Sequence, residues 1–261
     1  MGVHATALVE NGARLGRDVT VGPFAFVDRD VEIGDGTAIG PHCVIMKNVR
    51  LGEGCRVHTG AVIGDEPQDL SYGGATTYVR VGARCVIREY VTIHRGTAEG
   101  TATEIGNDCF LMALSHFAHN VRLGDRVIVA NGAVLGGYVE VGERAFISGN
   151  CSVHQFVRIG KLVMMSGNSG VSKDVPPFCT VRGAMANRIS GLNVVGMRRA
   201  DMKPEERKQV RQAFKLLYNS GLNVSQALPR ITQECHGAAI REFTEFIAAS
   251  KRGICGFMAE D

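Results

Sequence analysis

The chain has 261 residues, is 45% hydrophobic and carries a formal charge of only +3. So small a charge gives no reason to expect a nucleic acid or other polyanion partner. No apolar run is long enough to span a membrane, no signal-peptide pattern opens the chain, and eight cysteines include no CxxC pair, so the reading is a cytoplasmic protein with reduced thiols.

Taken in order, the first element is a repeat. A large aliphatic stands at every sixth position from Val3 through Val9, Leu15, Val21, Val27, Ile33 and onward to Ile63. The phase lapses at Asp69 and Ala75, returns at Val81, Ile87 and Ile93, lapses at Glu99, and holds again from Ile105 to Val171. Gly often follows the aliphatic, as at Gly16, Gly34 and Gly52. A small residue follows four places on, as at Ala25, Cys43, Cys55, Cys85 and Cys109. A helix would repeat near 3.6 residues and a flat sheet every second residue. A period of six with one large and one small inward position predicts a mainly β fold, a parallel β-helix of hexapeptides. Three hexapeptides close one triangular coil, coils stack about 4.8 Å apart, and the chain supplies about nine or ten of them. Gly is expected to relax the backbone where the chain turns.

Two polar, Gly-bearing excursions interrupt the repeat, near 64–80 and 94–104, and read as loops thrown out from a rigid wall. Asp174-Val175-Pro176-Pro177 ends it, because two prolines remove ladder donors. The β-helix is thus assigned to 1–190 and a helical domain to 191–261. Residues 178–200 read as irregular. Asp201 is the expected cap of a first helix, with Pro204, Glu205 and Glu206 in its opening turn and Val210, Phe214 and Leu217 as its apolar stripe. Ser225 is expected to open a second helix, and Ile240, Phe243 and Ile247 mark a third, the three together covering the open end of the prism.

Histidines supply the chemistry. His119 lies two residues past the interior Phe117, so it is expected to point outward as a surface imidazole suited to general-base work. Coil arithmetic sets Gly137 and then Gln155 above it, and Tyr138 and Phe156 above Asn120. Gly136 and Gly137 leave room there for a ligand. His94, His116 and His119 could also be nominated as zinc ligands, but their spacing does not fit the known hexapeptide zinc sites.

The motifs GDEPQDLSYGG at 64–74, VTIHRGT at 91–97, LMALSHFAHN at 111–120, SVHQF at 152–156, SGVSKDVPPF at 169–178 and LNVVGMRR at 192–199 make the chain resemble the acyl-carrier-protein-dependent UDP-N-acetylglucosamine O-acyltransferases that begin lipid A synthesis. The resemblance spans essentially the whole chain. It implies a homotrimer of left-handed β-helices with active sites between subunits. It implies transfer of a 3-hydroxyacyl group from acyl carrier protein to the sugar 3-position, with no cofactor and no metal. By position, His119 matches the catalytic base. His94, His116, His154 and Gln155 match residues that line the cleft or hold substrate, and Gln68 and Asp69 match loop residues at the nucleotide sugar. Gly137 is the expected backbone donor to the oxyanion, and Gly167 matches the end of the acyl groove. Asn193 and Arg199, with Arg198 beside them, match the uridine and phosphate end. The basic residues from Arg198 to Lys215 suit an acidic carrier protein. Two positions depart from the pattern, Tyr138 for a histidine and Ser71 for a lysine. Both lie near the sugar, which admits a 3-amino analogue of it as the alternative acceptor.

Overall fold

Each hexapeptide does one thing locally: it forms a two-residue strand whose second residue points inward, as in Phe26–Val27 and Ile128–Val129. Strands one coil apart pair in parallel, so the chain winds into a left-handed three-faced prism. The computed structural model describes residues 2–184 and 187–258, so the outer limits expected for the two domains, 1 and 261, lie outside the described residues. Face A begins at Gly2–Val3, face B at Leu8–Val9 and face C at Arg14–Leu15, with twelve, nine and eight strands. The nine strands of face B give nine coils, within the expected range.

The large aliphatics fill the prism; Ile45, Ile63, Ile87, Leu111, Phe117 and Leu135 have no accessible surface. The repeated glycines, however, do not serve the turns. The left-handed backbone falls two places later, at residues such as Phe24, Asn48, Asn120 and Tyr138, with φ of 57–64°. Gly34, Gly52 and Gly106 are needed for a different reason. A Cβ on any of them would lie 2.6 Å from backbone of the next coil. Gly therefore sets how tightly one edge of the prism is wound. The small slots have their own chemistry. Thiols of Cys43, Cys55, Cys85, Cys109 and Cys151 each donate to a carbonyl of the next coil at 3.0–3.3 Å. All eight cysteines are buried and unbridged.

The excursions leave the stacking intact. Arg56 pairs with Val86 and Tyr78 with Ala102, steps of 30 and 24 residues where most coils step by 18, as Ile128 does to Phe146. The two loops are bonded to one another through Gly100 N–H to Thr76 O and Thr76 N–H to Glu99.

Outward positions differ between the faces. Face C carries an alternating charge ladder: Arg14, Glu32 and Arg50 low down, then Arg80, Glu104 and Arg122, then Glu140 and Arg158. Face A presents Arg56 and then Val86, Phe110, Ile128, Phe146 and Met164, and face B presents Leu8, Phe26, Val44 and Val62 low down, then Thr92, His116, Val134 and Ser152.

Within the region expected to be irregular, the described residues form regular elements. Cys179–Val181 turns back antiparallel onto Arg188–Leu192, and helix α1, Val194–Arg199, follows. Helix α2, Pro204–Tyr218, is capped by Lys203 and not by Asp201, because Pro204 takes the first helical position and Glu206 reaches back to the Lys203 N–H. Helix α3, Val224–Glu234, starts one residue before Ser225, under an Asn223 capping box. Helix α4 is Ala238–Ala248. The tail then returns to the prism: Gly256–Phe257 pairs with Arg188–Leu192, and the buried Asp174 carboxylate accepts from Arg158 N–H and Ser250 Oγ.

Candidate active site

His119 follows the strand His116–Phe117 and sits at the corner between faces B and C. The expectation of a surface imidazole is corrected here. The ring does leave the prism interior, but Asp69, Asn120 and Tyr138 surround it and its side chain is only 11% exposed. Its Nδ1 lies 3.1 Å from Asn120 Oδ1, and its Nε2 lies 3.7 Å from an Asp69 carboxylate oxygen. Tyr138 meets the ring edge-on at 5.3 Å. Gly137 closes the next coil over it, where a Cβ would fall 2.4 Å from His119 Cε1. The glycine therefore makes room for the imidazole as much as for any ligand.

Asp69 arrives from the first loop. Ser71 donates to its Oδ1 through both N–H and hydroxyl, at 2.9 and 2.8 Å, and these bonds hold the carboxyl below its ordinary range. Gln68 beside it is exposed. The loop is pinned by Arg95, a residue marked in the sequence only as part of the VTIHRGT motif and given no role there. Its buried guanidinium donates to Gly64 O, Glu66 and the Tyr72 hydroxyl at 3.2, 2.9 and 3.2 Å. Asn120 and Thr97 were likewise not chosen as site residues. Asn120 occupies a left-handed corner, a conformation Asn tolerates well, which is the one signal that marks the position.

His94, one coil below, meets His116 of the same coil as His119 edge to face at 5.1 Å. His94 is buried with its Nδ1 unpartnered, while His116 Nδ1 lies 2.7 Å from Thr92 Oγ1. Burial, and then the neighbouring His94, push His116 down to about 4. Burial likewise lowers His94, against the pull of Asp65. Among the described residues no group of three or more His, Cys, Asp or Glu is placed to hold a metal ion. Above, Tyr138 stacks on Phe156 at 4.9 Å, as coil arithmetic requires. His154 and Gln155 beside it are exposed, with His154 Nδ1 3.4 Å from Arg252. Asn120, Tyr138 and Phe156 line an open groove of about 900 Å³ with Arg122, Arg158 and Lys251.

The remaining expected residues lie elsewhere in the chain. Asn193 and Arg199 line a second cavity of about 520 Å³ on face A, with Ile128, Phe146 and Met164. Asn193 is also structural there: it caps α1 through Gly196 N–H and donates to Leu162 O, each at 2.8 Å. Arg198 points away from Arg199, into a smaller basic crevice with Arg207, Lys208 and Arg211. Gly167 is an exposed turn at the opposite end of face B's strands, and a Cβ there would touch only Gly149 O at 3.6 Å.

Comparison with known proteins agrees with this geometry. The sequence model of a family described as UDP N-acetylglucosamine O-acyltransferase, domain 2, matches residues 174–255, and that of bacterial transferase hexapeptides matches 30–65 and 102–137. An acyl-[acyl-carrier-protein]–UDP-N-acetylglucosamine O-acyltransferase of Halorhodospira halophila is 43% identical over 254 residues, 97% of this chain and 98% of that protein. The UDP-N-acetylglucosamine acyltransferase structure from Campylobacter jejuni superposes with a TM-score of 0.92 at 36% identity, covering 98% of this chain and all of that one. The Bacteroides fragilis structure gives 0.93 at 37%, over 96% and 98%. By the length and level of these matches, the chain belongs to the acyl-[acyl-carrier-protein]–UDP-N-acetylglucosamine O-acyltransferase family.

Proposed function

We infer that this enzyme transfers a 3-hydroxyacyl group from acyl carrier protein to the 3-position of UDP-N-acetylglucosamine, the step that begins lipid A synthesis, with His119 as general base. The observation that carries the base assignment is an imidazole hydrogen-bonded at Nδ1 to Asn120, with the Asp69 carboxylate 3.7 Å from Nε2, beyond hydrogen-bond reach but close enough to stabilise positive charge on the ring, under a glycine that clears its face. Nε2 takes the proton from the sugar hydroxyl as that oxygen attacks the thioester carbonyl. The Gly137 N–H, which meets no acceptor among the described residues, is the donor assigned to the developing oxyanion. The C–S bond then breaks, and the imidazolium returns its proton to the departing thiolate. Asp69 faces the imidazolium and stabilises it. His94 and His116, held neutral, suit uncharged hydrogen bonding to the sugar.

The functional unit is a homotrimer. Face A from Val86 to Met164 and the lower half of face B are apolar outside, while face C is charged. The His119 cluster stands beside face B, and the Asn193–Arg199 cavity lies on face A of the same chain. Packing face A of one subunit on face B of the next unites the two halves, and sets Gly167 beside the acyl chain. Carrier protein docks through its acidic surface on the cations near α1 and α2, Arg198, Arg207, Lys208 and Arg211 among them.

The test is a panel of 3-hydroxyacyl carrier proteins with UDP-N-acetylglucosamine, read by mass spectrometry, for the wild type and two variants. His119→Ala, which opens no core cavity, is expected to stay folded and lose about 10²–10⁴ in rate. Wild-type turnover in that variant removes the base assignment. Gly167→Met is expected to shift the panel toward shorter chains.

A second reading concerns the acceptor. Ser71 spends its hydroxyl on Asp69, and Tyr138 places its own 2.8 Å from Thr97, so both departures leave a neutral, already partnered side chain near the sugar. That setting also suits a 3-amino sugar, whose neutral amine attacks with less help from a base. A competition between the two sugars decides, and clear preference for the 3-hydroxyl sugar ends the amine reading.

A further inference from the structure

The second loop delivers Thr97 to the catalytic corner, and its hydrogen bonds fix where protons sit. Asn120 Oδ1 lies 3.2 Å from Thr97 N and 2.9 Å from Thr97 Oγ1. A backbone N–H can only donate, so the Asn120 atom at this spot is the oxygen and not the amide nitrogen. That oxygen accepts and never donates, so the ring nitrogen facing it at 3.1 Å, His119 Nδ1, carries a proton. The Thr97 hydroxyl has one proton and spends it on the same oxygen. The Tyr138 hydroxyl, 2.8 Å from Thr97 Oγ1, must therefore donate to Thr97. Thr103 Oγ1 accepts the Asn120 N–H at 2.8 Å and holds the corner from the strand Ala102–Ile105 that follows the loop.

We propose that Thr97 is a positioning residue: by locking the Asn120 amide with its oxygen toward His119, it holds the imidazole as the Nδ1–H tautomer and leaves the Nε2 lone pair free to take the acceptor's proton. The proposal rests on the reading of His119 as the base. Without the Thr97 hydroxyl, the amide keeps only the backbone N–H and can rotate, presenting its NH₂ to the ring. That rotation favours the tautomer whose Nε2 is already protonated, a form unable to act as base. Tyr138 reaches His119 through this line as well as by ring contact, so its departure from the family's histidine brings a donor to the base's support.

The experiment uses the full-length enzyme and compares Thr97→Val with Thr97→Ser. Thr97→Val removes the hydroxyl at nearly constant volume, and Thr97→Ser keeps it. Selective ¹⁵N-histidine labelling reads the tautomer, with the His119 signals assigned by their loss in His119→Ala. Thr97→Val is expected to raise the Nε2–H fraction of His119 and to lower kcat about five- to tenfold with KM little changed, the size of one buried neutral hydrogen bond. Thr97→Ser is expected to restore both. Unchanged ¹⁵N shifts in Thr97→Val overturn the proposal, as does an equal loss in both variants, since that loss would come from loop packing. Should His119→Ala keep its turnover, the base reading falls, while the ¹⁵N shifts still decide whether Thr97 sets the tautomer.

Discussion

His94 and His116 show how one side chain can answer to pH. Both sit below the histidine's ordinary value, His116 at about 4, because burial opposes the charged form. In the unfolded chain each titrates near about 6.5. The folded protein therefore binds fewer protons than the unfolded one between those values. His116 contributes its full stability above about 6.5, and loses it as the pH falls toward about 4. Denaturation midpoints of wild type and His116→Asn at pH 7.5 and 4.5 test this. The variant should lose less on acidification, and an equal loss would mean that the effect comes from other groups. The same residues show what a sequence cannot display. Their place in one cleft was expected from the family resemblance. An 18-residue coil step does not bring them together, because the second loop lengthens that step to 24 between Thr92 and His116. Their burial was not legible either, since it depends on loops with no period to read.

At the scale of elements, the hexapeptides were legible because each gives one large residue to the interior, and burial enforces that choice at every coil. The role of the repeated glycine was not legible, since a close approach between coils leaves the same residue as a turn would. Helices α2 to α4 were found within a few residues from their apolar stripes, whereas α1 is six residues long and offers too little pattern. The first loop is the element on which the site most depends, and Arg95 is its anchor. Three hydrogen bonds from one buried guanidinium hold it. Each contributes about 1 kcal/mol. Its partner Glu66 is 65% exposed, so truncation leaves no stranded buried charge. Arg95→Ala should thus keep the prism and free the loop at 66–77. Limited proteolysis should cut that loop faster, and turnover should fall about tenfold as Asp69 leaves His119. Unaltered cleavage and turnover would show that the loop is held by other contacts.

At the scale of the molecule, the contrast between faces predicts how subunits meet. Ile128 lies at the centre of the apolar row on face A, flanked by Phe110 and Phe146. Its side chain points outward, so Ile128→Glu leaves each prism folded while burying a carboxylate in any face A to face B contact. Light scattering should find monomers with little activity. A trimer of normal turnover would place the contact on another face. The charged ladder of face C is the control: reversing Arg122 and Glu140 together should leave assembly unchanged.

A prism of stacked coils has neighbours only above and below, so its parts need not open together. The upper end is welded to helices and to returning strand, whereas at the lower end Val3 and Leu8 stand 43% and 55% exposed with no coil beneath them among the described residues. Fraying therefore starts at the N-terminal end. His94 ends the fifth of the nine strands of face B, and His119, Tyr138 and His154 follow the sixth, seventh and eighth. Amide exchange should run as a gradient from the first coil upward, reaching the histidines late. Distance along the stack thus gives the chemistry a kinetic shelter, in which the lowest coils can breathe while the cleft keeps its shape.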